Sequence, residues 1–523
     1  MAIGRTIYKE IFKNKNLDFH KKAIITPDIE VTYCELNKII QDLADALSIH
    51  GVVENDIICI CFENSVDYLA HYISASLSNI RIIPIDVRLS KDNYHNIIKE
   101  FNPKIVACSK QLSAILVSVI QEAFPTSKLK TIEIPFWAQT HWIKNENYIY
   151  TPNEFLKEDF TIIFSSGSTG SAKKIIFSQD ILINQVWNMI NIFEINPADK
   201  ILCTVVFAHS LGILDLSFTT LFVGATLYLE NTTTLNPRKI LNILSTEKIT
   251  FYASLPFLCE LFNSVNLKTK IDLSSLRYYI CGGSPLDEAI IEKFKSKYDV
   301  YINQVYGLTE VGYITFNKNK TKINSMGNIL PGIDFKIIND NGELCKANEP
   351  GELIVKDSYK ERGMMVRGYY NNSSENAIMF RDGWMHTQDI VKMDEDGYVY
   401  FVSRKSEFLI IGGNKISPVE IEKIIAKHEN VKEVSVTSIS DGTQDFIIVA
   451  AVVPNNHVVE QRLIKEIIEL CKKHIPYYMI PAQIKIFDSL PKTISGKIIR
   501  REVTHLFTDR NLIICKDGAP LTI

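Results

Sequence analysis

The sequence predicts an α/β protein: a large N-terminal domain, residues 1–404, of stacked α/β subdomains with a β-rich module, and a small α+β C-terminal domain, residues 405–523. Three observations predict it. Strand-like and helix-like segments alternate through the first 250 residues, as they do when helices pack on a mostly parallel sheet. From about Lys322 the strands shorten and carry turn signals, NDNGEL (339–344) and DEDGYVYF (394–401). After Arg404 helices and strands mix again over about 120 residues, a length that can fold on its own.

The elements follow from local patterns. Tyr33, Leu36, Ile39, Ile40, Leu43 and Leu47 recur at helical spacing behind Thr32, a suitable N-cap. Asp56–Phe62 reads as a strand, Ser65–Ser78 as a helix, Ile80–Ile83 as a strand, Lys91–Phe101 as a helix and Lys104–Cys108 as a strand. Thr161–Phe164 is a short apolar strand, and the alternation then resumes. Helices are expected at Ser178–Ile192, Leu211–Phe222 and Pro237–Glu247, and strands at Lys200–Val206, Ala225–Leu229 and Ile249–Ala253. In the C-terminal part, helices are expected at Pro418–Lys427 and Gln461–His474. Strands are expected there at Val431–Ile439, Phe446–Val453 and Ile484–Phe487.

Composition narrows the function classes. Hydrophobic content of 46% and charged content of 22% are those of a globular chain. With 57 Lys+Arg against 60 Asp+Glu the net charge is −3, which gives no footprint for nucleic acid. The ten cysteines are scattered without a C-x-x-C pair, so they read as buried thiols in a reducing compartment and imply no zinc site. No signal-peptide pattern and no membrane-length apolar run is present, and a cytoplasmic location is expected.

One loop carries the chemistry. After the Thr161–Phe164 strand, Ser165, Ser166, Gly167, Ser168, Thr169 and Gly170 place two glycines and four hydroxyls ahead of Lys173 and Lys174. Inward-turned N–H groups, hydroxyls and an ammonium suit a polyphosphate, although the spacing is not that of a P-loop. By itself the tract reads as a phosphate cradle or as a flexible linker.

Further stretches point to one reaction. SSGSTGSAKK (165–174), FAHSLG (207–212), CGGSPL (281–286), VYGLTE (305–310), GEL (351–353), DGWMHTQD (382–389), SRKSEFLIIGGNKISPVEIE (403–422) and LPKTISGKIIRR (490–501) follow in order. Together they resemble the motif set of the adenylate-forming superfamily of acyl- and aryl-CoA synthetases, adenylation domains and luciferases. The resemblance runs from about Val31 to Arg501. It implies that a carboxylate attacks the α-phosphate of Mg·ATP to give acyl-AMP and pyrophosphate, and that a thiol then displaces AMP.

The same resemblance assigns residues to cofactors. Ser165 to Gly170 and Lys173 would hold the β- and γ-phosphates, with Gly282, Gly283, Ser284, Tyr306, Gly307 and Thr309 around the nucleotide. Tyr306 would stack on adenine. Glu310 resembles the Mg2+ ligand, with Thr169 beside it, because a hard cation prefers oxygen. Asp389 would accept from both ribose hydroxyls with Arg404 alongside, and Lys497 would bridge the attacking carboxylate and the α-phosphate. His209 would line the acyl pocket with Leu214, Tyr252, Ala253, Cys281, Gly282, Tyr306, Gly312 and Tyr313; a packed core histidine is the other reading. The C-terminal domain would be a mobile lid turning about Ser406, which removes Lys497 and brings up Leu409–Asn414 with Gly412 and Gly413.

Four positions depart from the family pattern: Ala172 and Lys174 beside Lys173, Gln388 for a usual Gly, and Ser406 for a usual Asp or Lys. Amino-acid-activating relatives carry Phe-Asp-x-Ser where this chain has Phe207-Ala208-His209-Ser210, so no carboxylate there meets an α-ammonium. The expected substrate is an acyl or aryl acid and the expected acceptor is coenzyme A. The phosphopantetheine arm of a carrier protein is the alternative acceptor, and a non-catalytic nucleotide-binding protein the alternative of another class.

Overall fold

The computed structural model describes residues 5–134, 140–149, 154–165, 173–230, 235–266, 271–284, 286–319, 321–358, 363–411, 414–440, 446–455, 459–493 and 497–508. Packing divides the chain into one unit of Met1–Asp334 with Lys356–Phe380 and another of Phe335–Val355 with Arg381–Ile523.

The first unit holds two sheets flanked by helices. In one, Ile105–Ser109, Ile57–Cys61, Arg81–Pro84 and Asp159–Ser165 run parallel. Antiparallel strands close both its edges, Thr140–Asn145 with Leu129–Ile134 on one side and Lys173–Ser178 on the other. In the other, Lys22–Ile25, Thr226–Leu229, Lys200–Cys203, Phe251–Ser254, Tyr278–Cys281 and Ile302–Leu308 are parallel neighbours.

Local chemistry sets these elements. The helix Tyr33–Ile49 starts in a capping box, Thr32 receiving the Glu35 N–H while Glu35 reaches back. Ser65 and Ser90 cap the helices Val66–Leu77 and Lys91–Phe101 in the same way, with the left-handed Asn102 ending the latter. Val66–Ser76 is buried all round, and Tyr68 and Tyr72 on it reach the Phe207 carbonyl and the Thr161 hydroxyl. One segment departs from the expected pattern. Leu211–Phe222 was expected as one α-helix; it winds as a π-helix over Leu211–Phe218 and becomes α only over Thr219–Val223. The Ser217 and Thr219 hydroxyls donate back to the Gly212 and Leu214 carbonyls, five residues earlier, and so help satisfy the wide turns.

In the second sheet the chain runs from Lys200–Cys203 to one neighbour, Thr226–Leu229, and then crosses to the other side at Phe251–Ser254. Lys200–Cys203 is therefore a topological switch point, and in such sheets ligands bind outside the carboxyl ends of the strands there. The segments carrying His209, Ala253, Gly282 and Glu310 all follow or end such strands.

The second unit contains antiparallel pairing of Gly351–Val355 with Trp384–Met393 and of that strand with Tyr398–Arg404. It also has a three-stranded sheet, Val431–Ser440, Phe446–Pro454 and Gln483–Ile486, and the helices Pro418–Ile425 and Glu460–His474. Val436, Ala450, Ile421, Ile425, Leu463 and Ile467 form its apolar core. Among the described residues no helix is long and apolar enough to cross a membrane.

Candidate active site

In the first unit the two strands that flank the serine- and glycine-rich segment pair with each other. Asp159–Ser165 and Lys173–Ser178 pair antiparallel with Ser165 opposite Lys173; Ser166, Gly167, Ser168, Thr169 and Gly170 lie outside the described residues, as does Ala172. Alternation along the second strand sends its two lysines to opposite faces. Lys174 pairs with Glu100 and lies 6.0 Å from the Tyr370 ring. Lys173 pairs with Glu375 and lies 5.0 Å from the Tyr369 ring centroid. The Tyr369 hydroxyl in turn donates to Glu310 Oε1 at 2.7 Å, so Lys173 is the lysine on the Glu310 side.

Glu310 sits in the turn between the antiparallel strands Ile302–Leu308 and Gly312–Phe316. Its side chain is buried, and Tyr369 is its one hydrogen-bond partner among the described residues, leaving Oε2 open. Gly307 cannot be replaced in this hairpin without strain, since a Cβ would lie 2.4 Å from the Gly312 carbonyl oxygen. Gly282 is similarly constrained, its Cβ position falling 2.8 Å from Val305, and Gly283 has a φ of +86°. With half-buried Ser284 and Tyr306 these form a close-approach surface that suits a flat ring such as adenine. The Thr309 hydroxyl meets Ser210 at 3.2 Å, which ties this hairpin to the segment after Lys200–Cys203.

His209 lies in that segment. Its Nε2 faces Arg88 at 3.5 Å, Arg88 is held by Asp86 at 2.6 Å, and the ring also bonds the Phe164 backbone. Burial lowers its pKa, so it is held as neutral imidazole; Asp86 opposes the shift and Arg88 adds to it. Gly312 takes a φ of +84° beside Gln185, and Tyr313 follows it. Leu214, Tyr252, Ala253 and Cys281 are almost wholly enclosed and back the wall; Tyr252 spends its hydroxyl on Thr204 at 2.9 Å.

The second unit carries the remaining predicted residues. Asp389 is 1% exposed and meets Arg404 Nε at 3.0 Å. Burial lowers the Lys497 pKa; Arg404 lowers it further, while Glu407 and Asp389 raise it. Lys497, Arg404 and Asp389 thus form one electrostatic group within this unit.

Gln388 supplies the backbone turn. Its φ is +60°, the left-handed region that glycine enters freely, and its Nε2 donates to Glu352 Oε1 at 2.8 Å. Glu352, from the GEL motif, is 3% exposed and also accepts from Lys405 Nζ at 2.8 Å. The departure from glycine is accommodated by this side-chain anchor. Gln388→Ala is expected to destabilise the protein, since it keeps the strained φ and loses the bond, and Gln388→Gly to be more stable than Gln388→Ala by about 1 kcal/mol. Thermal unfolding of the two variants checks the order.

Sequence reading missed Tyr369, Glu375 and the anchoring role of Glu352. The one local sign of the first was Gly368 between Arg367 and two tyrosines; its φ is +146° and a Cβ would strike Asn376 at 2.6 Å.

Parallel strands ending at a switch point and a buried carboxylate with an open oxygen, with Lys173 on its side, suit the binding of a nucleotide. The profile of the AMP-binding enzymes matches residues 13–370, and that of their C-terminal domain matches residues 420–497. The chain belongs to the AMP-binding enzyme family, the adenylate-forming superfamily, and in class is an ATP-dependent acid–thiol ligase. It is 26% identical to the indoleacetate–CoA ligase of Aromatoleum aromaticum over 95% of this chain and 97% of the relative. It is 22% identical to the long-chain-fatty-acid–CoA ligase FadD13 of Mycobacterium tuberculosis, over 92% and 94%. Its fold matches that of ATP-bound MatB from Rhodopseudomonas palustris with a TM-score of 0.81 at 22% identity, covering 96% of this chain and 99% of that one.

Proposed function

We propose that the enzyme couples an acyl or aryl acid other than an α-amino acid to coenzyme A. The observation that carries this is the group Lys173, Tyr369 and Glu310 in one unit, with Asp389, Arg404 and Lys497 grouped in the other. The names of the matched relatives, both CoA ligases, favour CoA over a carrier protein. Residues 1–404 would act as the adenylation domain and 405–523 as the lid, in the cytoplasm, where thiols stay reduced; the described cysteines are all free.

In the first half-reaction a carboxylate oxygen attacks the α-phosphorus and the bond to pyrophosphate breaks. Lys173 and the serine- and glycine-rich segment before it would hold the departing pyrophosphate, Asp389 takes the ribose diol, and Lys497 offsets charge shared by the attacking and phosphoryl oxygens. Glu310 fits a hard cation, since Tyr369 fixes one carboxylate oxygen and the other is open. Bound there, Mg2+ would neutralise triphosphate charge. In the second half the thiolate sulfur attacks the acyl carbon and AMP leaves.

A pyrophosphate-release screen over carboxylic acids, with and without CoA, tests the reading. CoA-dependent thioester formation and AMP production are expected; ADP production, or release that answers only to a loaded carrier protein, would overturn it. The strand faces add a prediction. Lys173→Ala should raise the KM for ATP by roughly tenfold or more, whereas Lys174→Ala, whose partner Glu100 lies on the other face, should leave it little changed. ATP titrations of the two variants decide.

A further inference from the structure

The lysine expected to hold the phosphates already has a partner. Lys173, at the start of its strand and opposite Ser165, is ion-paired with Glu375 on the helix Ser373–Met379. The two side chains are 21% and 28% exposed, so solvent screens the pair only in part.

The contact is built into the fold. The Ile176 N–H donates to the Gly368 carbonyl at 3.2 Å and the Tyr370 N–H to the Lys174 carbonyl at 2.8 Å, which fastens Gly368–Tyr370 along the lysine strand. Asn376 then fastens the helix to that segment: its Oδ1 accepts from the Tyr369 N–H at 2.7 Å and its Nδ2 donates to the Tyr369 carbonyl at 2.9 Å. Asn372 caps the helix by accepting from the Glu375 N–H at 3.2 Å. The carboxylate is thereby delivered to the lysine from a segment about 200 residues away in sequence.

The ion pair is not needed to place the lysine. Lys173 Nζ lies 5.0 Å from the centroid of the Tyr369 ring, whose hydroxyl is bonded to Glu310, so strand pairing and ring together keep the ammonium on the Glu310 side. What Glu375 adds is charge. With buried Glu310 it sets two carboxylates and one ammonium about Tyr369. A triphosphate that engages Lys173 must draw the ammonium away from Glu375, and a departing pyrophosphate returns it.

We infer that Glu375 is a positioning residue that competes with the phosphates for Lys173, weakening the grip on ATP and easing the departure of pyrophosphate. The inference rests on the ligase reading above and adds a control on its product-release step.

Calorimetric titration of the full chain with Mg·pyrophosphate, and with the Mg complex of α,β-methylene ATP, tests it without need of the acid substrate. Glu375→Gln keeps the cap, which uses only the backbone N–H, and removes the charge. It should tighten pyrophosphate by about three- to tenfold and the ATP analogue in the same direction. In turnover it should lower the KM for ATP without raising kcat and make pyrophosphate a stronger product inhibitor. In a Lys173→Ala background the gain from Glu375→Gln should largely disappear. Should Glu375→Gln not fold, Glu375→Ala carries the same expectations. Weaker binding in Glu375→Gln, which a structural or orienting role predicts, overturns the inference. Unchanged binding does so too, as does a gain that persists in full without Lys173, since Glu375 would then act by repulsion across space. In each of these cases the ligase reading stands. A wild type that binds neither ligand overturns the inference and the phosphate-holding role of Lys173 together.

Discussion

Lys497→Ala is expected to lower acyl-AMP formation by about 10²–10³-fold while thioester formation from synthetic acyl-AMP is little changed. Lys497 is the charge with no other assignment in its neighbourhood: Arg500 is committed to Glu422 and Glu407, and Arg404 to Asp389. Among the described residues no carboxylate is ion-paired with it; burial lowers its pKa, while Glu407 and Asp389 favour its charged form, which stays open to oxygens developing charge. The second half-reaction has no triphosphate to neutralise, and the loss should therefore be confined to the first. Pyrophosphate exchange and CoA thioester formation, measured separately on one preparation, check this. Equal losses in both halves would remove Lys497 from the role and with it the proposal of a lid turning near Ser406.

Glu310→Gln is expected to reduce pyrophosphate exchange by about 10- to 100-fold at low Mg2+, with partial recovery as Mg2+ is raised. The amide oxygen can still accept from Tyr369, so the hairpin Ile302–Phe316 should remain folded; what is lost is the negative charge on the open oxygen. The metal dependence separates this variant from Lys497→Ala, for which added Mg2+ should restore nothing. Titrating Mg2+ at fixed ATP makes the comparison, and a defect in Glu310→Gln that does not respond to Mg2+ would count against a metal-binding role.

Much of the fold was legible in the chain because its signals are local. The Thr32 capping box, the Lys91–Phe101 helix and the strand at Phe446 follow from cap chemistry and side-chain periodicity, which act over a few residues. The edge strands Leu129–Ile134 and Thr140–Asn145 were not anticipated, since their pairing depends on each other and on Ile105–Ser109. The π-helix was missed for a related reason: its period is set by buried hydroxyls and packing, while the apolar pattern reads as an ordinary helix.

The candidate site divides in the same way. By itself the sequence determined the order of the motifs, the family they belong to, and the absence of an aspartate at Ala208. Tertiary structure alone decided that Lys173 and not Lys174 shares a face with Glu310, that Tyr369 holds Glu310 from 59 residues away, and that Glu352 lets Gln388 stand in a glycine's conformation. A motif records which groups the chemistry requires, and that information is local. Which groups meet, and which are left without a partner, depends on how strands distant in sequence are laid side by side, and no periodicity reports it.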